Sequence, residues 1–201
     1  MSYSIEQISE IIGAQRVGDA LATIDWLLTD SRSLSFPEAT LFFALSSKRN
    51  DGARYIPDLY IREVRNFVIS RETYSLMEEE GAFGGIHPDA NYLVVPHPLK
   101  ALQKLAEQHR SRFQIPVIGI TGSNGKTVVK EWLYQLLGPD RPTVRSPRSY
   151  NSQIGVPLSV WRLDEGAELA IFEAGISEPG EMKALESIIK PTIGILTNIG
   201  G

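Results

Sequence analysis

The sequence predicts an α/β protein in two parts, a small mixed α/β N-terminal domain followed by a parallel-sheet domain. Three observations predict this. Short apolar runs that suit strands alternate with stretches whose apolar residues recur at helical spacing. The periodicity changes at Pro98, where a long amphipathic stretch separates the two parts. The chain has 201 residues, 42% hydrophobic and 22% charged, enough for a sizeable core and unlike a disordered, collagen-like or coiled-coil composition.

The N-terminal part spans residues 1–97. Ser4-Ile5-Glu6-Gln7 has capping-box spacing, Ile5, Ile8, Ile11 and Ile12 share one helical face, and Gly13 suits the stop. Strands are expected at Leu21–Leu28, Leu41–Leu45, Asn66–Ser70 and Tyr92–Val95, with helices near Tyr55–Val64 and Glu72–Glu80. Gly81–Asp89 is rich in breakers and predicts a loop.

Residues 98–115 predict a linker helix, since Leu99, Leu102, Leu105 and Ala106 mark one face that runs to about Phe113. The second domain then fills 116–201. Pro116 introduces the apolar strand Val117–Ile120. After a short loop comes a helix with Val128, Val129, Trp132, Leu133, Leu136 and Leu137 as its apolar positions, ended by Gly138-Pro139. Strands at Thr143–Arg145, Leu169–Phe172 and Ile193–Leu196 alternate with helices near Gly155–Trp161 and Gly180–Ile189. Such alternation implies a parallel sheet covered on both faces.

Composition excludes several chemistries. Without cysteine there is no disulfide framework, thiolate zinc site, iron-sulfur cluster or cysteine nucleophile. No apolar run approaches the roughly 20 residues that span a bilayer, and Met1–Glu6 lacks a secretion-signal pattern, so a cytoplasmic protein without membrane insertion is expected. The net charge of −4 is too mild to argue for a nucleic-acid partner. Its distribution is uneven: −6 over residues 1–96, +6 over 97–148 and −4 over 149–201. A basic middle suits a phosphorylated ligand, or equally a solvated helix face.

The strongest motif lies between the strand Val117–Ile120 and the helix after it: Thr121-Gly122-Ser123-Asn124-Gly125-Lys126-Thr127. Glycines let a backbone wrap closely round phosphates, amide hydrogens at a helix start carry partial positive charge, a lysine adds a full one, and a threonine hydroxyl can ligate magnesium. Gly122, Ser123, Asn124, Gly125, Lys126 and Thr127 are therefore read as an ATP-binding loop, with Lys126 also catalytic and Thr127 on Mg2+. The second domain is accordingly read as part of a P-loop ATPase. Its spacing departs from the usual P-loop, with Ile120 five positions before Gly125 and the glycine at 119. A chance glycine-rich turn is the alternative, and the strand-loop-helix context argues against it.

A triphosphate site needs an acid to hold the metal, commonly where a neighbouring apolar strand ends. Leu169-Ala170-Ile171-Phe172-Glu173 has that form, so Glu173 is the second metal candidate, with a solvated surface Glu as the alternative. Asn198 follows the strand Ile193–Leu196 at the same expected sheet edge, with a turn role equally open. Asn151 and Ser152 precede a helix, where capping is favoured over anion contact on spacing alone. His87, His97 and His109 have no metal-ligand spacing and are expected in loops or on a helix surface. Trp26, Trp132 and Trp161 are expected in cores.

These residues resemble the Mur ligases, the ATP-dependent amide-forming enzymes of peptidoglycan synthesis. The loop 121–127 is similar to their ATP-binding motif, including the Gly119 spacing. Asn151–Leu158, Glu173–Glu181 and Thr197–Gly201 resemble the MurF type of that family, and Asp30-Ser31-Arg32, Leu41–Leu45 and Asp51-Gly52 resemble the family's uridine-diphosphate-binding domain. Pro37-Glu38 stands where the family often has Pro-Gly, and Ser46-Ser47 where a glycine usually follows the strand.

The resemblance implies a ligase that uses ATP and Mg2+ to join D-alanyl-D-alanine to UDP-N-acetylmuramoyl-tripeptide through an acyl phosphate. It also implies that Ser31 and Arg32 help hold the UDP end and that Asn151 and Ser152 face substrate. After Asn198 the family pattern continues into a histidine near the metal site, a lysine expected to be carbamylated and a domain that closes over ATP. The reading is therefore of an N-terminal fragment, expected to ligate poorly or not at all. A folylpolyglutamate synthase-like ligase and a non-catalytic nucleotide-binding module are the alternatives. The roughly 100 residues ahead of the ATPase part, with Asp30-Ser31-Arg32, argue against the first of these. Sequence leaves the oligomeric state open.

Overall fold

The structure is a computed structural model that describes residues 2–47, 50–175 and 180–199. It divides into two compact units, Ser2–Leu102 and Gln103–Gly201.

In the first unit, β1 (Tyr3–Ser4) leads into α1 (Ile5–Ile12), followed by β2 (Gln15–Val17), β3 (Thr23–Ile24) and β4 (Trp26–Leu28). The capping box forms: Ser4 N–H donates to Gln7 Oε1 at 2.9 Å and Gln7 N–H to Ser4 Oγ at 3.2 Å. Gly13, at φ 68°, closes the helix in the left-handed conformation that favours glycine. β5 (Thr40–Phe43) precedes a small hairpin of β6 (Ser46–Ser47) and β7 (Asn50–Asp51), then α2 (Ile56–Ile61), β8 (Asn66–Ser70), α3 (Arg71–Glu80) and β9 (Asn91–Val95).

The main sheet runs β2-β9-β8-β5-β4, parallel except where β2 joins β9. Alternation along the strands sends Phe42, Phe67, Tyr92 and Val94 into a core with Ile56, Leu59 and Met77 from α2 and α3. The expected single strand Leu21–Leu28 is two short strands, because Thr23–Ile24 pairs with β1 while Trp26–Leu28 pairs with β5. The expected helix Tyr55–Val64 shortens to α2 behind a 3-10 turn, and Gly81–Asp89 is a loop with one 3-10 turn at Ala82–Gly84.

α4 (Pro98–Arg110) ends before the expected Phe113. Its last turn tightens, with Phe113 N–H donating to Arg110 O at 3.2 Å. The Arg110 guanidinium turns back to the carbonyls of Phe113 (2.7 Å), Ile189 (2.7 Å) and Lys190 (2.9 Å).

The second unit adds β10 (Val117–Thr121), α5 (Lys126–Leu137), β11 (Thr143–Arg145), α6 (Gly155–Val160), β12 (Leu169–Glu173), α7 (Glu181–Ile189) and β13 (Ile193–Leu196). The order β11-β12-β10-β13 is parallel throughout. Val117, Ala170 and Phe172 pack with α6 and α7 on one face, while Ile118, Ile120 and Ile171 pack with α5 on the other. No helix among the described residues is long and apolar enough to cross a membrane.

Two expectations fail on α5. Adjacent helical residues point about 100° apart, so one helix face cannot bury both members of each apolar pair. Val129, Leu133 and Leu137 pack on the sheet, whereas Val128, Trp132 and Leu136 are 50%, 63% and 71% exposed. Of the tryptophans expected in cores, Trp161 is buried, Trp132 faces out and Trp26 lies on the surface stacked on Phe36.

His109, expected on a helix surface, is buried between Phe113 and Trp161, with Nε2 2.9 Å from Leu163 O. A carbonyl only accepts, so Nε2 carries the proton. Burial pushes this imidazole from its ordinary 6.5 down to about 4. The folded state thus takes up the proton later than the unfolded state, and this contribution to stability is full above pH 6.5 and falls as pH drops toward 4. Chemical denaturation from pH 7 to 4 should show a loss of about 3 kcal/mol from this group, which His109→Gln removes from the pH profile.

Candidate functional site

β10 delivers the chain to Thr121, and Gly122 turns it away from the sheet. Gly122 has φ +134°, and a Cβ there would stand 2.1 Å from Thr197 Oγ1 and 2.9 Å from Asn198 O, so only glycine fits. Gly125, at φ +81°, is the N-cap of α5 and supplies no capping side chain. Among the described residues, nothing accepts from the first-turn amides of Lys126, Thr127 and Val128. An uncapped helix start of this kind attracts an anion through those amides and the helix dipole.

The earlier part of the loop is tied to the end of β13. Ser123 N–H donates to Asn198 O at 3.0 Å and Asn124 N–H to Asn198 Oδ1 at 2.8 Å, while Thr197 Oγ1 donates to Asn124 O at 2.5 Å. The Ser123 and Asn124 amides are thus engaged here, and the open donors lie further on, in the first turn of α5. Lys126 folds back so that Nζ donates to Gly122 O at 2.7 Å.

Glu173 is the last residue of β12, which pairs with β10 so that Ile120 and Glu173 are opposite. That register sets the acid beside the loop. The side chain is fully buried, and its Oε2 accepts from Thr127 Oγ1 at 3.1 Å and Asn151 Nδ2 at 3.3 Å. Its Oε1 lies 3.0 Å from Lys130 Nζ yet takes no aligned hydrogen bond, a buried acceptor with spare capacity. Thr127 Oγ1 is also 3.3 Å from Ser149 Oγ. Thr127 Oγ1 and the neighbouring Glu173 Oε2 are hard oxygen donors of the kind Mg2+ takes from protein when phosphate and water complete its shell, so the residues present fit that ion. No group of three or more His, Asp or Glu suited to a metal occurs among the described residues.

Asn151 is therefore beside the acid, with its carbonyl accepting from Gly175 N–H at 2.7 Å. Ser152 points elsewhere, its Oγ accepting from the amides of Gly155 (3.0 Å) and Ile154 (3.4 Å) at the start of α6. Ser31 and Arg32 belong to the other unit. There Asp30 caps a 3-10 turn, accepting from Arg32 N–H at 3.0 Å and pairing with the guanidinium at 2.6 Å, while Ser31 O accepts from Arg62 at 2.8 Å. The hydrogen bonds from Arg32 hold the Asp30 carboxyl below the usual carboxylate range. Of the segments singled out by resemblance, residues 176–179 and 200–201 lie outside the described residues.

Sequence reasoning missed Lys130, a fully buried lysine one turn beyond Lys126. The i, i+4 spacing was the available signal, since it places both ammonium groups on one face of α5.

The pattern of the Mur ligase middle domain matches residues 120–201. The chain is 38% identical over 165 residues to the UDP-N-acetylmuramoyl-tripeptide--D-alanyl-D-alanine ligase of Borreliella burgdorferi, covering 80% of this chain and 34% of that protein. The chain belongs to the Mur ligase family. The enzyme of the same name from Synechocystis sp. is 34% identical over 177 residues, covering 88% of this chain and 36% of that one. Among solved structures, MurF from Acinetobacter baumannii has the same fold, with a TM-score of 0.84 at 24% identity over all of this chain and 42% of that one. MurF ligase from Thermotoga maritima in complex with ADP aligns with a TM-score of 0.69 and 29% identity over 87% of this chain and 37% of that one. This Mur ligase chain spans about a third of the length of the curated relatives just named.

The tightness at Gly122 generates a test. Gly122→Ala forces Thr197 and Asn198 away from the loop at a φ that L residues rarely adopt. Urea denaturation should show a loss of about 1–3 kcal/mol.

Proposed function

We propose that this chain forms the substrate-holding and ATP-cradling part of a ligase that joins D-alanyl-D-alanine to UDP-N-acetylmuramoyl-tripeptide through an acyl phosphate. The observation that carries the reading is the pairing of Thr127 Oγ1 with Glu173 Oε2 at 3.1 Å, at the foot of a helix whose first-turn amides are open. The names of its relatives and the ADP bound to its Thermotoga neighbour support it. In this reading residues 1–97 hold the UDP-linked substrate, 98–115 link, and 116–201 begin the ATPase domain. The setting is cytosolic, where a UDP-linked acceptor and ATP meet.

The chemistry is phosphoryl transfer to the terminal carboxylate of the tripeptide, followed by attack of the D-alanyl-D-alanine amine and loss of phosphate. Such transfers depend mainly on positioning and charge neutralisation. Mg2+, when bound, neutralises charge on the phosphate oxygens. Thr127 and Glu173 hold it, directly or through water. The amides of Lys126, Thr127 and Val128 receive the phosphate chain at the start of α5. Lys126 exchanges Gly122 O for phosphate oxygens, a charge-assisted bond in place of a neutral acceptor. Asn151 steadies the acid from the substrate side, Ser152 keeps α6 in place behind it, and Ser31 and Arg32 take the UDP end.

Two measurements test this. Calorimetric titration with magnesium and ADP should give saturable binding, and Lys126→Ala should weaken it about tenfold to a hundredfold, the worth of one charge-assisted hydrogen bond. Unchanged affinity removes Lys126 from the site. Arg32→Ala should weaken binding of UDP-N-acetylmuramoyl-tripeptide about tenfold and leave ADP affinity as it is. Equal loss for both ligands contradicts the assignment of separate sites.

A further inference from the structure

Lys130 is a buried charge that the mechanism above does not use. Its side chain has no exposure, and its Nζ donates to Ser146 O at 2.9 Å and to Arg148 O. The same ammonium lies 3.0 Å from Glu173 Oε1 and 3.2 Å from Glu131 Oε1. A buried ammonium is tolerated only when its charge is matched and its donors find acceptors. Here the acceptors come from separate places: the segment after β11, the end of β12, and α5 itself.

The arrangement divides Glu173 into two halves. Oε1 faces the ammonium, which leaves Oε2 for Thr127 Oγ1 and Asn151 Nδ2 beside the phosphate loop. The segment held by Lys130 closes on the same acid. Ser146 Oγ accepts from Glu173 N–H at 3.1 Å, Ser149 Oγ stands 3.3 Å from Thr127 Oγ1, and Asn151 follows. Removing the ammonium leaves the buried Ser146 carbonyl and Glu173 Oε1 without their charged partner and frees the part-buried Arg148 carbonyl from its tie to α5.

We propose that Lys130 is a positioning residue: through Glu173 and the Ser146–Asn151 segment, it fixes which carboxylate oxygen is presented to a metal beside Thr127. The inference rests on the nucleotide reading above and deepens it, since the contacts of Lys130 Nζ are with Glu173, Glu131 and the carbonyls of Ser146 and Arg148.

The test compares ADP affinity with Mg2+ and with EDTA for the whole chain, its K130M, K130Q and E173Q variants, and the K130M/E173Q double variant. The affinity ratio isolates the metal-dependent part, which a general loss of stability does not single out. K130M should lower the ratio about tenfold to a hundredfold, as loss of a group that orients a metal ligand does. The double variant should lose no more than E173Q alone, because both changes act on one carboxylate. K130Q keeps a donor for the carbonyls without the charge and carries the comparison if K130M does not fold.

Hydrogen exchange supplies a readout free of ligand. Amides within 146–151 should exchange about tenfold faster in the variants, while those of residues 2–102 keep their protection. A ratio within about twofold of the wild type, losses that multiply in the double variant, or a wild type indifferent to Mg2+ each overturns the proposal. If the wild type binds no ADP, the nucleotide reading falls on its own. Exchange then decides the point for Lys130: faster exchange supports its hold on the segment, and unchanged protection overturns it.

Discussion

Burying a carboxylate at the end of a sheet strand is costly unless charge and hydrogen bonds compensate it, and the second unit is organised around that requirement at Glu173. Lys130 supplies the opposite charge at 3.0 Å, Thr127 and Asn151 supply donors to the other oxygen, and Ser146 accepts from the Glu173 backbone amide. These partners come from α5 and from the segment between β11 and α6. The acid thereby connects the loop 121–127, a sheet strand and a crossing segment at one point, at the carboxyl end of a parallel sheet where open α/β folds bind ligands.

Meeting this requirement has a visible effect on α5. Lys130 reaches the acid with the helix turned so that Val129 and Leu133 pack on the sheet. The rotation that satisfies the charge puts Val128, Trp132 and Leu136 into solvent. A helix with a buried lysine on one side and an exposed tryptophan on the other departs from hydrophobic patterning alone. The charge of Lys130 is met on the same side of the helix that packs Val129, Leu133 and Leu137 on the sheet.

This explains which parts of the molecule were legible in the sequence. Local signals read well where local chemistry decides: the Ser4–Gln7 capping box, the glycine stop at Gly13, the strand-loop-helix around 117–137 and the acid closing an apolar strand at 173. They read poorly where a partner distant in sequence decides. Leu21–Leu28 divides because its halves pair with different strands, and His109 is buried because Trp161 and Leu163 come to meet it. The spacing of Lys130 from Lys126 hinted at a shared face, but its acceptors at 146, 148 and 173 become neighbours only in the folded chain. The role of Asn198 in holding the loop was half visible, since its place after a strand was clear but its acceptors and donors were not.

The ties between the loop 121–127 and Asn198 also set an order of events during biosynthesis. The amide of Asn124 finds its side-chain acceptor 74 residues later in the chain. At about 5–20 residues per second, a ribosome needs about 4–15 s to deliver that acceptor after the loop itself has been made. During that interval β10 has no β13 beside it, and the Ser123 and Asn124 amides lack the Asn198 acceptors that hold them in the folded chain. The folded course of the loop is therefore completed only when β13 docks.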